Sequence, residues 1–308
     1  MKPQICVVGS VNMDLVFRTP RMPAVGETLH GHEFRQIPGG KGANQAVAAA
    51  RQGADVRFIG AVGDDGFGDF SQQSLSADGI SLTHLSRIPG VATGVAGILV
   101  EDNGSNSIVL AAGANASLTP AHIDAAAADI RSAQILLCQL ETPLNTVTQA
   151  IATARAAGVK VILNPAPAQD LSPELLAQVD YLILNETEAG QLSGIAVTDN
   201  ASAQAASEKL LSMGVGQVLL TMGGHGAQIT QAGLSQFIPA IRVDVVDTTA
   251  AGDTFVGAFA VGIANGLSLL EASQEAQYTA ALTVTKLGAQ TSIPQRAEVL
   301  AFMAARKA

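Results

Sequence analysis

The sequence has no tryptophan, two tyrosines and two cysteines among its 308 residues. It is also short of positive charge: 17 Lys and Arg stand against 26 Asp and Glu, a net charge of −9. Few aromatic faces leave little surface for stacking bases. The acidic balance, with no run of Lys or Arg, argues against a partner recognised through its phosphate backbone. An anionic small molecule stays possible, because a local nest of N–H groups can outweigh the global field. No apolar run reaches the roughly 18 residues of a membrane helix. Met1-Lys2-Pro3-Gln4 leads straight into a strand-like segment with no room for a signal peptide, so a cytoplasmic protein is expected. Cys6 and Cys138 both lie in apolar strand-like runs; two buried thiols is the plain reading and a disulfide the alternative. Charged residues are only 14% and apolar ones 48%, too greasy for a disordered chain.

Short apolar runs alternate with helical patterns. Strands are expected at Ile5–Gly9, Arg57–Ala61, Ile135–Gln139, Lys160–Leu163, Tyr181–Leu184 and Gln217–Thr221. They read as continuous apolar runs, as for strands covered on both faces. Helices are expected at Ala43–Gln52, from apolar positions 43, 46, 47 and 50, and at Pro143–Ala157, which opens on Pro and closes before Gly158. From Asp253 onward the pattern is mostly helical. This alternation predicts an α/β fold with a mainly parallel sheet between helices. Two segments, residues 14–36 and 94–110, break the rhythm and read as hairpins of a small projecting sheet; ordinary edge hairpins are the alternative. No repeat or linker divides the chain, so residues 1–308 are expected to form one unit carrying that insert.

The most informative stretch is Asp247-Thr248-Thr249-Ala250-Ala251-Gly252-Asp253, followed by an apolar helix. Small residues let a ligand approach the backbone, and the first turn of a helix offers free N–H groups to an anion. Asp253 beside such an anion hole suits phosphoryl transfer, with the carboxylate accepting a hydroxyl proton. It would equally serve as a plain helix N-cap. Pro38-Gly39-Gly40-Lys41-Gly42-Ala43-Asn44-Gln45 also leads into a helix. It is no Walker A loop, since Gly42 stands where Ser or Thr is needed, and no GxGxxG follows the first strand. Gln139-Leu140-Glu141, Asn185–Glu188 and Thr221–Gly226 each follow a strand, where ligands of parallel sheets bind. Asn185 and Glu188 can either hold water on Mg²⁺ or cap their helix.

The segments 247–253 and 39–46, about 200 residues apart, resemble the two signatures of the PfkB, or ribokinase-like, sugar kinases. The resemblance spans nearly the entire chain. It implies a Rossmann-like three-layer sandwich with a small β-sheet lid. Asn12-Met13-Asp14, Asn164–Ala168 and Gly288–Ser292 look most like the members that phosphorylate D-ribose at its 5-hydroxyl with ATP, so that activity is expected. Carried over by position, Asp253 is the catalytic base, and the amides of Ala250, Ala251, Gly252 and Asp253 form the anion hole. Asn12, Asp14, Gly40, Lys41, Asn44 and Glu141 contact the sugar. Asn185, Thr221, Gly223, Gly224, Gly226 and Gly252 line the ATP site, with Gln277 near adenine. Asn185 and Glu188 hold Mg²⁺ through water. Asp247, Thr249, Thr283, Lys286, Gly288 and Ser292 surround K⁺, several through backbone carbonyls; the ammonium of Lys286 cannot ligate. A homodimer clasped through the lids is implied. Ala250 departs from the family's Gly, and Ala restricts positive φ. Competing expectations are a kinase of 2-deoxyribose or of another sugar or nucleoside, and a catalytically silent sugar sensor.

Overall fold

A computed structural model describes residues 2–307. Among these residues thirteen strands form two sheets. In chain order they are β1 (Gln4–Val8), β2 (Asn12–Thr19), β3 (Glu33–Gly39), β4 (Asp55–Gly63), β5 (Ser81–Ile88), β6 (Gly94–Glu101) and β7 (Asn106–Ala111). There follow β8 (Ile135–Cys138), β9 (Lys160–Leu163), β10 (Tyr181–Asn185), β11 (Gln217–Thr221), β12 (Gly226–Gln231) and β13 (Leu234–Pro239).

The large sheet has the order β13-β12-β11-β10-β9-β8-β1-β4-β5. From β11 to β5 every neighbouring pair is parallel, and β12 and β13 add an antiparallel end. The alternation within the apolar runs becomes visible here. Ile5 and Val7 of β1 face one core cluster while Cys6 and Val8 face the other; Ile135 and Leu137 divide from Leu136 and Cys138 in the same way. The first cluster is closed by helices Lys41–Arg51, Ala251–Ala264 and Leu269–Thr283. The second is closed by helices Leu144–Ala156 and Asn200–Ser212. Burial of both faces stabilises each Val, Leu or Ile by about 1.5–3 kcal/mol and leaves no polar side for the sequence to show. The six expected strands stand within a few residues of their predicted ends. The edge strands β5 and β13, and β12 beside β13, carry mixed polar residues and were not anticipated.

The thiols of Cys6 and Cys138 are free and fully buried on adjacent strands. Burial, with Asp129 adding to it, pushes the Cys6 thiol up to about 12; burial pushes Cys138 above the ordinary thiol range as well.

The chain enters the large sheet at β1, adds β4 and β5 on one side, then returns to place β8 on the other. Such a reversal opens a crevice at the carboxyl ends of β1 and β8. Ser10 and Glu141 lie there. Only Gly9, Ser10 and Val11 separate β1 from β2, the first strand of the small sheet.

That small sheet has the order β3-β2-β6-β7 and takes in both segments that broke the βα rhythm. Its register puts Val16, Ile98 and Ile108 on one face and Leu15, Phe17, Phe34, Leu99 and Val109 on the other. Both faces are thus apolar, and Phe17, Phe34, Ile108 and Val109 stand exposed. No helix among the described residues is long and apolar enough to cross a membrane.

Candidate active site

Helix Ala251–Ala264 is apolar all round and buried from Asp253 to Ile263. Gly257 lets it lie close to helix Lys41–Arg51: a methyl on Gly257 would sit 2.6 Å from the carbonyl oxygen of Gln45. This approach carries the Asn44 and Gln45 side chains to the first turn of the apolar helix. Asn44 Nδ2 donates to Asp253 Oδ2 at 2.9 Å, and Gln45 Nε2 donates to Asp253 Oδ1 at 3.0 Å. Asp253 is therefore no N-cap; that position belongs to Ala250, whose φ of 60° is left-handed. An L-residue there costs about 1–2 kcal/mol, strain of the kind that collects at functional loops. Within the expected anion hole, the amide of Ala251 is spent on the Thr248 carbonyl at 3.2 Å. Those of Gly252 and Asp253 have no acceptor among the described residues.

The sugar-side residues converge from both sheets. Lys41 N and Ser10 Oγ both donate to Glu141 Oε2, at 3.0 and 2.5 Å. Gly40 has φ +89°, and a methyl on it would sit 2.7 Å from Asn12 N. Asn12 Oδ1 accepts from Asn115 Nδ2 at 2.8 Å, leaving its own Nδ2 as a donor. Asn44 is the converse: Nδ2 is committed to Asp253, while Oδ1 is buried and unpartnered. The two amides, expected to both donate and accept, are each restricted to one role. Asp14 lies against Gly39, where a methyl would meet its Oδ2 at 2.4 Å. Burial first, then the charges of Glu141 and Asp253, raise the Asp14 carboxyl to about 7 against the opposing pull of Lys41. Burial disfavours the Lys41 ammonium, but Asp253, Glu141, Glu188 and Asp14 together outweigh it and hold its pKa above the ordinary value.

A cavity of about 240 Å³ opens beside this group, lined among others by Lys41, Asn185, Glu188, Thr221, Gly252 and Asp253. Ala250 and Asn164 also reach it. Asn185 and Glu188 form a full capping box: Asn185 Oδ1 accepts from Glu188 N at 2.9 Å and Glu188 Oε2 from Asn185 N at 3.0 Å. Capping and cavity lining coexist. Burial raises the Glu188 carboxyl despite the bonds from Asn185 and the charge of Lys41. Beyond Thr221, Gly223 and Gly224 are open on their Cα side, so a ligand can approach their backbone. Gly226 starts β12, and a methyl on it would meet the Ile238 carbonyl at 2.1 Å. Gln277 is buried and donates to that same carbonyl at 3.2 Å, outside the cavity lining.

The loop expected around K⁺ is drawn together by Asp247. Its Oδ1 accepts from Thr249 N (2.9 Å) and Thr249 Oγ1 (2.6 Å), and its Oδ2 from Gly288 N (2.9 Å). Burial opposes its charge, and these bonds together hold its carboxyl below the ordinary range. Thr283 Oγ1 and Ser292 Oγ are bonded to the carbonyls of Thr279 and Ala289. Lys286 turns its ammonium to Glu298 at 2.7 Å, away from the loop. No group of three His, Cys, Asp or Glu suited to a metal exists among the described residues.

Four polar residues important to this geometry lay outside the expected set: Asn115, Gln45, Gln139 and Asn164. Gln139 Nε2 donates to Gln45 Oε1 at 2.6 Å, and Gln45 Nε2 reaches Asn164 Oδ1 at 3.0 Å. Gln45, Gln139 and Asn164 stand in the quoted motifs, but their bonds cross 94–208 positions of sequence.

A model of the family described as "pfkB family carbohydrate kinase" matches residues 2–296. A ribokinase of Haemophilus influenzae is 44% identical over 98% of this chain and 99% of its own. A deoxyribokinase of Salmonella typhi is 40% identical over 94% of this chain and 95% of its own. Among solved structures, that of a ribokinase from Arabidopsis thaliana complexed with ribose and ATP superposes with a TM-score of 0.93 at 34% identity, covering 98% of this chain and 99% of that one.

Proposed function

The chain belongs to the pfkB family of carbohydrate kinases, and on that premise we propose that it transfers a phosphoryl group from ATP to the 5-hydroxyl of D-ribose, giving ribose 5-phosphate and ADP. The observation that carries this reading is the position of Asp253. It is buried in the first turn of a helix, both oxygens are held by amide donors, and it faces the cavity beside the unspent amide of Gly252.

Asp14 and the free oxygen of Glu141 accept from sugar hydroxyls, Asn12 Nδ2 donates to one, and the orphaned Asn44 Oδ1 takes another. A hydroxyl placed against Asp253 gives up its proton to that carboxylate as the oxygen attacks the phosphoryl group. The amides of Gly252 and Asp253 and the ammonium of Lys41 stabilise charge on the group in flight. Thr221, Gly223 and Gly224 border the nucleotide. Asn185 and Glu188 would hold Mg²⁺: a buried carboxyl pushed above its ordinary value is one that a dication would relieve. When bound, Mg²⁺ neutralises phosphate charge. K⁺ would lie at the Asp247 loop, where Thr283, Lys286 and Ser292 have only main-chain oxygens left to turn to it, their side chains being engaged elsewhere. The small sheet serves as the lid. Its two apolar faces fit one covering the sugar and one meeting a second copy of the chain, and cytoplasmic residence suits an ATP-consuming enzyme.

The preference for ribose over 2-deoxyribose rests on Asn12, whose carbonyl is tied back by Asn115 so that its amide must find a hydroxyl. An unpaired buried donor costs about 1–3 kcal/mol. ADP release with a panel of pentoses, hexoses and nucleosides tests this. Ribose should give the highest kcat/KM, and Asn12→Met should narrow its margin over 2-deoxyribose. Equal values for the two sugars in the parent protein would remove the argument. Turnover should also fall when K⁺ is replaced by Na⁺.

A further inference from the structure

Gln45 is fully buried, and Gln139 behind it is 1% exposed. Neither has accessible surface to offer a sugar or nucleotide. An amide in such a place gains nothing over a leucine or methionine unless its bonds do something. Its bonds tie Asp253 to Gln139 and Asn164. Gln45 Nε2 donates to Asp253 Oδ1, and Gln45 Oε1 is held by Gln139 Nε2.

The direction of these bonds is fixed by acceptors that cannot donate. A carboxylate serving as base accepts only, so the NH₂ end of Gln45 must face it and its carbonyl must face Gln139. On the other branch, Asn164 Nδ2 donates to the Ile183 carbonyl at 2.8 Å, which turns Asn164 Oδ1 toward the same Gln45 NH₂ group. Gln45 is thus locked from two sides in one orientation. The cost of the arrangement is visible. Gln139 Oε1 has no hydrogen-bond partner and packs against Gly9, where a methyl would meet it at 2.2 Å. Gly9 thus leaves the space that the Gln139 side chain fills.

We propose that Gln45, oriented by Gln139 and Asn164, is the positioning residue of the base: it fixes the Asp253 carboxylate so that its remaining lone pairs meet the sugar hydroxyl. Asn44 grips the other oxygen but borders the sugar, so it is a contact residue as well. Gln45 acts through Asp253 alone. The inference rests on the kinase reading above and goes beyond it by naming what holds the base in place.

The test is the division between kcat and KM in Gln45→Met, a near-isosteric change that keeps the packing and removes the donor. Expected is a fall in kcat of about 10- to 100-fold, as for a reacting group displaced by up to an ångström, with KM for ribose and for ATP within about three-fold of wild type. Calorimetry without nucleotide should show ribose affinity unchanged on the same scale. A buried residue with a merely structural role would change the unfolding midpoint and leave kcat per folded molecule alone. Gln139→Met should lower kcat in the same direction, and the double variant should be no slower than Gln45→Met, since Gln139 acts only through Gln45.

A kcat within about five-fold of wild type in Gln45→Met, a loss carried by KM, or additive losses in the double variant each overturn the proposal. If Gln45→Met does not fold, Gln139→Met decides: lowered kcat at unchanged KM supports the assignment and unchanged kcat overturns it. A wild-type protein that releases no ADP with any sugar, or an Asp253→Asn variant as fast as wild type, overturns the kinase reading and this inference with it. Failure at Gln45 alone leaves the kinase reading standing.

Discussion

Asp14→Asn should make the protein more stable and less able to bind ribose. Among the described residues the Asp14 carboxyl has no hydrogen bond that would favour its charge; it is buried near Glu141 and Asp253, and its pKa is raised to about 7 from an ordinary 3.8. Between those values the folded chain binds the proton and the unfolded chain does not. Stability must therefore fall as pH rises through the window from about 4 to about 7. A shift of about three units at 1.36 kcal/mol each sets an upper limit near 4 kcal/mol for the cost at pH 8. Asparagine has the shape of the neutral acid and carries none of that cost. Denaturant unfolding of the ligand-free proteins should show a gain for the variant of a few kcal/mol at pH 8, shrinking to under about 1 kcal/mol near pH 4. Ribose affinity should drop by at least about ten-fold, since hydrogen bonds to a charged acceptor contribute about 1.5–3 kcal/mol each. A variant less stable than wild type at pH 8, or a gain that does not change with pH, would refute the electrostatic account.

Asp253→Asn should lower kcat by at least ~10² while calorimetry still detects ribose; turnover within a few-fold of wild type would rule out the base. Gly257→Ala places a methyl 2.6 Å from the Gln45 carbonyl oxygen and from Ala48 Cβ. It should lower stability by about 1–3 kcal/mol in chemical denaturation and reduce kcat as the two helices part; wild-type values of both would show that the close approach is not needed. Ala250→Gly removes the left-handed strain and should stabilise the fold by about 0.5–1 kcal/mol, a shift in denaturation midpoint whose absence would mean the loop carries no strain.

Much of the fold was legible because both faces of the large sheet are covered. Strands such as Ile5-Cys6-Val7-Val8 then appear as unbroken apolar runs between helices. The same covering hid which residue faces which core, and edge strands such as Ser81–Ile88, half polar, carried no comparable signal. At the site, Asp253, Lys41 and Glu188 could be found because glycines, small residues and carboxylates stand where strands turn into helices. The bonds that decide what each side chain can do were not legible. Asn115 reaches Asn12 across 103 positions, and Gln45 reaches Asp253 across 208. A local pattern names an amide but not its partner, and so cannot tell a donor from an acceptor.

The silence of the two native thiols has a practical side. Cys6 and Cys138 are inaccessible and hard to ionise, so maleimides and similar reagents will ignore them. A Ser107→Cys substitution on the outer strand of the small sheet would then present the molecule's one reactive handle. A fluorophore attached there could report the posture of that sheet as sugar and nucleotide arrive, with no need to strip background cysteines from the core first.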